Sequence, residues 1–315
     1  MNQKIKVREI ECASAIGKCN FPGGGFAINP YVGCAHNCRY CYARFIKRFT
    51  GHSEPWGTFV DVRVNIAEVL EKQLRSKKYS NQQIYIGTVT DPYQPLEEKY
   101  QLTRNILETL LHHQNPISIL TKSDLILRDL DLLKRFPNLD VNFTINTFDE
   151  DWKKLVEPDY PSIKVRLQAI RRLSGAGITA FVMIGPYWPY FTKPKIMLPR
   201  FKELGVKALF TESFNTTGGN WTGVEEVLKQ HYPKLIEEMR EIFFNKEKFY
   251  EFYSAAEAEL QHLSKIHKLP TTIYFGPGHA AKFENQKDST DTLEFDRTIN
   301  LKRVPLETHK RNIKV

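Results

Sequence analysis

Residues 33–42 read Gly-Cys-Ala-His-Asn-Cys-Arg-Tyr-Cys-Tyr, and this segment places Cys34, Cys38 and Cys41 in a C-x3-C-x2-C pattern. Thiolates are soft ligands that suit iron–sulfur clusters and zinc ions. Three thiolates on one short loop can bind three irons of a [4Fe–4S] cluster and leave the fourth iron open, as a catalytic metal site keeps an open position. The pattern therefore predicts a catalytic iron–sulfur cluster held by these three cysteines.

A structural zinc ion is the alternative, with His36 or a more distant thiol, Cys12 or Cys19, as a further ligand. The chain has five cysteines, all within its first 41 residues, whereas a disulfide framework spreads its cysteines along a secreted chain. Cys12 and Cys19 alone are a weak signal for a second metal centre. We therefore expect them to be ordinary reduced thiols.

Short apolar runs alternate with amphipathic stretches on the C-terminal side of the cysteine loop, which is the pattern of β/α units. The predicted strands, counting the apolar run just before the loop, are 26–28, 84–89, 117–120, 141–145, 180–184 and 206–210. Helical spacing lies between them, for example over 163–173 and 195–204. Repeated β/α units imply a parallel sheet, and the pattern fits either an open doubly wound sheet or a partial barrel.

The chain divides into three regions by composition. Residues 1–25 form an N-terminal lead-in with a glycine-rich run, and residues 26–215 hold the β/α units. Residues 216–315 are predicted to be a mainly helical extension, with helices from 224 to 268 that break near Pro233. A strand and turn near 271–278, a turn residue at His279 and a polar, basic tail complete this third region.

The charge balance favours an anionic partner. There are 45 Lys and Arg against 36 Asp and Glu, for a net charge of +9, which suits nucleic acid. The aromatic run 187–191, followed by Lys193 and Lys195, is a candidate for base stacking; a loop that caps the barrel is the alternative. No apolar run of membrane-spanning length occurs, and no apolar stretch follows the N-terminus, so we expect a cytoplasmic protein without a membrane span.

Residues 29–44 resemble the cluster loop of the radical S-adenosylmethionine (radical SAM) superfamily, and more narrowly its spore photoproduct lyase-like branch, whose loop ends in Tyr-Cys-Tyr. Residues 87–97, which read Gly-Thr-Val-Thr-Asp-Pro-Tyr-Gln-Pro-Leu-Glu, are similar to that branch's segment after the second strand, and residues 157–178 also fit. The resemblance covers about residues 25–215. It implies an α/β fold, a partial (β/α)6 TIM-like barrel with the cluster loop 33–42 after the first strand and a helical C-terminal extension.

The resemblance also implies the chemistry. A [4Fe–4S] cluster on Cys34, Cys38 and Cys41 would bind the amino and carboxylate groups of S-adenosylmethionine at its open iron. One-electron reduction would break the sulfonium bond and give a 5′-deoxyadenosyl radical that abstracts a substrate hydrogen. A flavodoxin- or ferredoxin-type protein is the expected electron donor. An enzyme of this kind relies on the cofactor for its organic chemistry and on the protein for orientation.

Seven residues are expected around S-adenosylmethionine because of this resemblance. Tyr40 would pack on the adenine, Gly87 and Thr88 would meet the amino group, and Lys122 would pair with the carboxylate. Thr144 and Asn146 would reach the ribose, and the backbone at Ile184 would contact the adenine. A packing role for Gly87 and a solvated charge at Lys122 are the plainer alternatives.

One departure from the resemblance concerns the hydrogen donor. Spore photoproduct lyases carry a hydrogen-donating cysteine before the Thr-x-Asp-Pro-like stretch, but residues 87–92 contain none and no cysteine follows Cys41. Thymine-dimer reversal with that relay is therefore in doubt, and Tyr93 or Tyr85 are substitute donors. The substrate stays open between a nucleic acid, in a repair-like lyase reaction, and a small molecule or protein side chain. A non-catalytic iron–sulfur or zinc module that senses redox state is the third hypothesis.

Overall fold

The computed structural model describes residues 5–19, 21, 24–216 and 219–276. The strands in these residues, in chain order, are β1 (Lys6–Ile10), β2 (Ile16–Lys18), β3 (Phe26–Ile28), β4 (Tyr31–Val32), β5 (Phe59–Arg63), β6 (Ile84–Ile86), β7 (Ile117–Thr121), β8 (Leu139–Thr144), β9 (Thr179–Ile184), β10 (Ala208–Glu212) and β11 (Thr271–Tyr274).

The helices of the same residues are α1 (Ile66–Leu74), α2 (Glu97–Tyr100), α3 (Leu102–Leu111), α4 (Leu130–Leu133), α5 (Glu150–Val156), α6 (Ile163–Gly175), α7 (Pro194–Glu203), α8 (Asn220–His231), α9 (Ile236–Phe244) and α10 (Lys246–His267). Short 3₁₀-helical segments occupy Tyr42–Phe49, Lys77–Tyr79, Asp124–Asp129 and Pro233–Leu235. Within the described residues, no helix is both long enough and apolar enough to cross a membrane.

The main sheet has the strand order β11-β10-β9-β8-β7-β6-β3-β2. Every neighbouring pair from β3 to β11 is parallel, and only β2 pairs antiparallel, on the outer side of β3. A second, smaller sheet has the order β1-β5-β4. All six strands predicted from the sequence lie in the parallel part, which confirms the α/β fold class.

Side chains alternate across the sheet, and this alternation decides which residues can meet a ligand. In β8 and β9 the apolar side chains of Val141, Phe143, Val182 and Ile184 are fully buried. The residues between them, such as Thr144 near the end of β8, are only partly buried and lie on the opposite face. Polar groups at the carboxyl ends of the strands therefore share that open face.

The structure differs from the sequence-based expectations in the N-terminal lead-in and agrees with them in the described part of the C-terminal extension. The lead-in is not simply irregular, because β1 pairs with β5 and β2 pairs with β3. The extension contains three helices and β11, which adds a parallel strand beside β10. The basic tail, including His279, lies outside the described residues.

Candidate functional site

The cysteine loop follows β3 and β4 and brings three thiols to one place. Cys34 and Cys38 are buried and Cys41 is partly buried. Burial, with the nearby charges of Asp91 and Cys41, raises the pKa of Cys34 to about 12. Burial also raises the pKa of Cys38, to which Cys41 and Cys34 contribute as well. The three thiols thus lie close enough to influence one another's pKa, and they would release their protons on binding iron.

The backbone of this loop is held by specific hydrogen bonds in addition to apolar packing. Thr90 Oγ1 donates to the Gly33 carbonyl at 2.6 Å, and the Ala35 amide donates to Gln94 Oε1 at 2.9 Å. Arg44 Nη2 donates to the carbonyls of Cys38 and Arg39 at 3.1 and 2.9 Å. These hydrogen bonds connect the loop to the segment after β6 and to its own C-terminal end.

His36 lies between two of the cysteines, but its ring is engaged elsewhere. Its Nδ1 lies 2.9 Å from the Asp159 carbonyl oxygen, and its ring stacks on Tyr160 with centroids 3.6 Å apart. Among the described residues, no three His, Cys, Asp or Glu side chains converge on a position that would hold one metal ion. The choice of a cluster over a zinc ion at these cysteines therefore stays a prediction from the C-x3-C-x2-C pattern.

Behind the loop, Tyr40 belongs to a buried polar network. Its hydroxyl donates to Glu157 Oε1 and accepts from Asn146 Nδ2 at 2.8 Å. Arg166 Nη2 pairs with Glu157 Oε2 at 2.6 Å, and both side chains are at most 3% exposed. Tyr40 is thereby tied to helix α6 and to the segment after β8.

The two ions of this network keep each other charged. Burial by itself would raise the pKa of Glu157, but Arg166, Lys122 and the hydrogen bond from Tyr40 outweigh it and lower that pKa. Burial opposes the charge of Arg166, yet Glu157 holds the pKa of its guanidinium above the usual value. A buried ion pair of this kind is costly to break, because one charge would remain without a partner.

Sequence reasoning did not assign a role to Glu157 or Arg166. Arg166 lies on the buried face of α6 together with Ile163, Ile170 and Leu173. A charged residue at helical spacing within an apolar stripe is the signal that points to a buried ion pair. The link from this ion pair to the cysteine loop could not be predicted from the sequence, since Tyr40 and Glu157 are 117 residues apart.

Gly87 and Thr88 directly follow β6, which ends three residues before the predicted end at 89. Gly87 has φ +89°, and a Cβ at this position would lie 2.4 Å from Pro92 Cδ and 2.8 Å from the Leu120 carbonyl oxygen. The position therefore accepts only glycine, which is why β6 ends at Ile86 rather than continuing. Thr88 Oγ1 accepts a hydrogen bond from Asn29 Nδ2 at 3.1 Å.

Lys122 and Glu212 are charged side chains at the ends of β7 and β10. The Lys122 ammonium lies 5.9 and 5.2 Å from the ring centroids of Tyr40 and Tyr160. Within the described residues, neither Lys122 nor Glu212 forms an ion pair or a hydrogen bond through its side chain. Burial raises the pKa of Glu212 to about 7, and the charge of Lys122 opposes this. Sequence reasoning did not single out Glu212.

The other residues expected to contact the cofactor differ in whether their polar groups are already hydrogen-bonded within the protein. Both ends of the Asn146 amide are used, since its Oδ1 accepts from the Gly185 amide at 2.8 Å and its Nδ2 donates to Tyr40. Ile184 is fully buried, and its carbonyl accepts from Thr211 Oγ1 at 2.9 Å. Thr144 lies partly buried on the open face. All seven expected cofactor contacts stay predictions.

The aromatic run after β9 packs inside the protein. Tyr187, Trp188 and Phe191 are buried, and the Trp188 ring meets Tyr40 edge-on at 5.4 Å. Tyr190 is exposed and donates to Glu238 Oε2 at 2.8 Å. The run supports the cysteine loop from behind, so the structure favours the capping role over base stacking.

The two substitute hydrogen donors lie in different surroundings. Tyr93 is fully buried, and burial raises its pKa well above the usual value. Tyr85 is partly buried on β6, and its ring meets Phe21 edge-on at 5.1 Å. Neither contact gives these tyrosines a catalytic role, so both assignments stay predictions.

The parallel sheet with its cysteine loop defines an α/β enzyme of the TIM-like barrel kind. Residues 28–195 match the sequence profile of the Radical SAM superfamily. An uncharacterized protein of Methanocaldococcus jannaschii is 35% identical over 246 residues, which cover 75% of this chain and 88% of that protein. The chain therefore belongs to the radical SAM superfamily, whose members use S-adenosylmethionine and a [4Fe–4S] cluster.

Two further likenesses concern named enzymes. The Radical SAM Nalpha-GlyT isomerase of Pseudomonas phage M6 is 31% identical over 163 residues, or 51% of this chain and 32% of the isomerase. Spore photoproduct lyase complexed with dinucleoside spore photoproduct superposes with a TM-score of 0.62 at 16% identity, over 85% of this chain and 81% of the lyase. The superposition shows a shared fold, and the family match confirms an enzyme rather than a non-catalytic module.

Proposed function

We propose that this chain binds a [4Fe–4S] cluster through Cys34, Cys38 and Cys41 and uses it to cleave S-adenosylmethionine reductively, with a nucleic acid as substrate. When bound and reduced, this pair of cofactors supplies a 5′-deoxyadenosyl radical that abstracts hydrogen. The observation that carries the proposal is the set of three cysteines, two of them buried, that lie together on one loop and influence one another's pKa. A flavodoxin- or ferredoxin-type protein is the proposed electron donor.

The chain's own residues supply binding and orientation. Within the described residues the Lys122 ammonium has no ion pair or hydrogen bond, and it would pair with the cofactor's carboxylate. Gly87, whose φ and closeness to Pro92 admit no side chain, would present its backbone and that of Thr88 to the amino group. Thr144 offers a hydroxyl on the same open face. Tyr40 and Asn146, whose polar groups are already paired, act mainly by shaping the site.

A nucleic-acid substrate is supported by charge and by likeness. The net charge of +9 favours a polyanion. The lyase of similar fold is described as complexed with a dinucleoside photoproduct. The absence of cysteine from residues 87–92 argues for a hydrogen-return step different from a cysteine relay. The alternative substrates are a small molecule or a protein side chain.

The first experiment tests the cluster and the cleavage. Wild type, Cys38→Ala and Cys12→Ala are reconstituted anaerobically with iron and sulfide, reduced with dithionite and given S-adenosylmethionine. Wild type and Cys12→Ala should bind about four irons each and form 5′-deoxyadenosine, whereas Cys38→Ala should do neither. Cys12 is the matched control because it is a partly buried thiol outside the loop. A protein that retains zinc without iron or sulfide would overturn the proposal.

The second experiment tests the substrate class. The reduced enzyme is incubated with S-adenosylmethionine and either a perdeuterated oligonucleotide or a perdeuterated peptide mixture. Deuterium should appear in 5′-deoxyadenosine only with the oligonucleotide, as mass spectrometry would show. Transfer from the peptide mixture alone would leave the cleavage chemistry standing and reject the nucleic-acid substrate.

A further inference from the structure

The 3₁₀-helical segment Tyr42–Phe49 directly follows the last cluster cysteine and is poorly packed. Only Ala43 is buried in it. Tyr42, Phe45 and Phe49 are 39%, 38% and 72% exposed. Three exposed aromatic rings within eight residues form an apolar patch of the kind that marks a binding site, whereas single exposed apolar residues are ordinary.

These rings form a continuous ladder with one arginine. The Tyr42 and Phe45 rings stack with centroids 6.5 Å apart and an interplanar angle of 25°. Arg48 Cζ lies 5.6 Å from the Phe45 centroid and 4.7 Å from the Phe49 centroid. We call Tyr42, Phe45, Arg48 and Phe49 the aromatic ladder.

One end of the aromatic ladder reaches the candidate cofactor site. The Tyr42 hydroxyl donates to the carbonyl of Thr88, next to Gly87. The other end is Phe49, the most exposed of the large apolar side chains among the described residues. The ladder thus runs from the site to the protein surface.

The charge around the aromatic ladder is positive. Residues 34–53 contain four Arg or Lys residues and no Asp or Glu. Arg44 is used within the loop, and Lys47 Nζ donates to the Ser53 carbonyl at 2.9 Å. The Arg48 side chain is exposed. A polyanion with flat, stackable groups matches both the charge and the rings.

We propose that the aromatic ladder binds a single-stranded or locally unpaired nucleic acid and leads it to the site beside Thr88. Bases stack on Phe45 and Phe49, and Arg48 pairs with a phosphate. This inference rests on the nucleic-acid part of the proposed function. An acidic electron-transfer protein would match the charge but would not require three exposed rings in a stacked series.

Binding of a fluorescent 12-nucleotide DNA and its RNA equivalent is measured by anisotropy on the reconstituted enzyme at several salt concentrations. Phe49→Ala should weaken binding about fivefold to a hundredfold, and Phe49→Tyr should bind like wild type, because the stacking face is kept. Arg48→Gln should lower the slope of log affinity against log salt by about 0.7. Formation of 5′-deoxyadenosine without nucleic acid should stay unchanged in all three variants.

The matched controls are Ile266→Ala and Arg75→Gln, because these side chains are exposed on other helices. Neither should change the affinity. If wild type binds the oligonucleotides and the ladder variants bind equally well, the ladder is not the binding site, although the substrate class stands. If those variants instead slow cluster reduction by a flavodoxin, the ladder binds the electron donor and the inference fails. If wild type shows no salt-dependent binding of the oligonucleotides, this inference and the nucleic-acid part of the proposed function are both overturned.

Discussion

Two sets of charged side chains on either side of the Tyr40 ring are arranged differently. Behind it, Arg166 and Glu157 form a buried ion pair, and Tyr40 and Asn146 bond to it. In front of it, the Lys122 ammonium lies near the rings of Tyr40 and Tyr160 without an ion pair or side-chain hydrogen bond in the described residues. The paired charges fix the shape of the cysteine loop, and the unpaired charge is left for a ligand.

The difference follows from the energetics of burial. Removing a charge from water costs free energy that only a well-placed partner offsets. Arg166 and Glu157 obtain that partner from each other, so they act in folding. Lys122 is only partly buried, and its proposed partner is the carboxylate of the cofactor. Substitutions in the two sets should therefore affect different measurements.

The largest effect should come from Arg166→Met. This change leaves Glu157 as a buried charge without its partner, which should lower the free energy of unfolding by about 3–5 kcal/mol. Urea denaturation under anaerobic conditions measures the loss. Adding Glu157→Gln to Arg166→Met should recover part of it, because the unpaired charge is then removed.

Arg200→Met is the control for this substitution. Arg200 pairs with Glu203 at 2.8 Å on the surface of α7, where both side chains are well exposed. Exposed ion pairs contribute roughly 0–1 kcal/mol, so the control should remain close to wild type. Equal losses in Arg166→Met and Arg200→Met would mean that the buried pair has no special role in the loop.

Much of the sheet could be predicted because its strands are short apolar runs between turn residues. β5 (Phe59–Arg63) was missed, and its middle residue explains why. Asp61 is buried and accepts from Arg8 at 2.8 and 2.7 Å. A carboxylate inside a strand interrupts the apolar pattern, and its partner 53 residues away is invisible to local periodicity. The structure is needed to show that the charge is neutralised.

The residues of the candidate site likewise fall into those that the sequence predicts and those that it does not. The three cysteines were recognisable because they are close together in sequence and share one chemistry. Glu157 and Glu212 were not assigned, since each reaches the site from a distant part of the chain. The aromatic run 187–191 was ambiguous because sequence does not say which rings are buried, and Trp188 proved to be fully buried.

The second prediction concerns the unpaired charge. Lys122→Met should weaken binding of S-adenosylmethionine roughly tenfold to a hundredfold, because a hydrogen bond to a charged group contributes about 1.5–3 kcal/mol. Stability should change much less than in Arg166→Met, since Lys122 forms no ion pair or side-chain hydrogen bond in the described residues and acts on Glu157 only through its charge. Equilibrium dialysis on the reconstituted protein gives the affinity, and thermal unfolding gives the stability.

Lys153→Met provides the comparison for Lys122→Met. Lys153 is 4% exposed, and its ammonium donates to the Tyr160 carbonyl. This ammonium is used within the protein, so its loss should lower stability and leave the affinity for S-adenosylmethionine near that of wild type. If both variants lose affinity equally, Lys122 has no distinct part in binding the cofactor.

The third prediction concerns Glu212→Gln, whose effect should depend on pH. Burial raises the pKa of Glu212 from 4.5 to about 7, so the folded state holds this proton more tightly than the unfolded state does. The contribution of Glu212 to stability is therefore present below pH 4.5 and is lost as the pH rises to about 7. Glutamine does not titrate, so Glu212→Gln should gain about 2.5 kcal/mol relative to wild type between pH 5 and pH 8.

Asp140→Asn is the comparison for Glu212→Gln. Within the described residues the Asp140 carboxylate accepts a side-chain hydrogen bond and the Glu212 carboxylate does not. Ser118 Oγ donates to Asp140 Oδ1 at 2.6 Å, and burial raises the pKa of Asp140 from 3.8 to about 6. The pH-dependent gain of Asp140→Asn should thus level off about one pH unit below that of Glu212→Gln. If the two gains in stability level off at the same pH, the unpaired carboxylate of Glu212 does not differ from the paired carboxylate of Asp140. The contrast between paired and unpaired charges would then lose the support of Glu212.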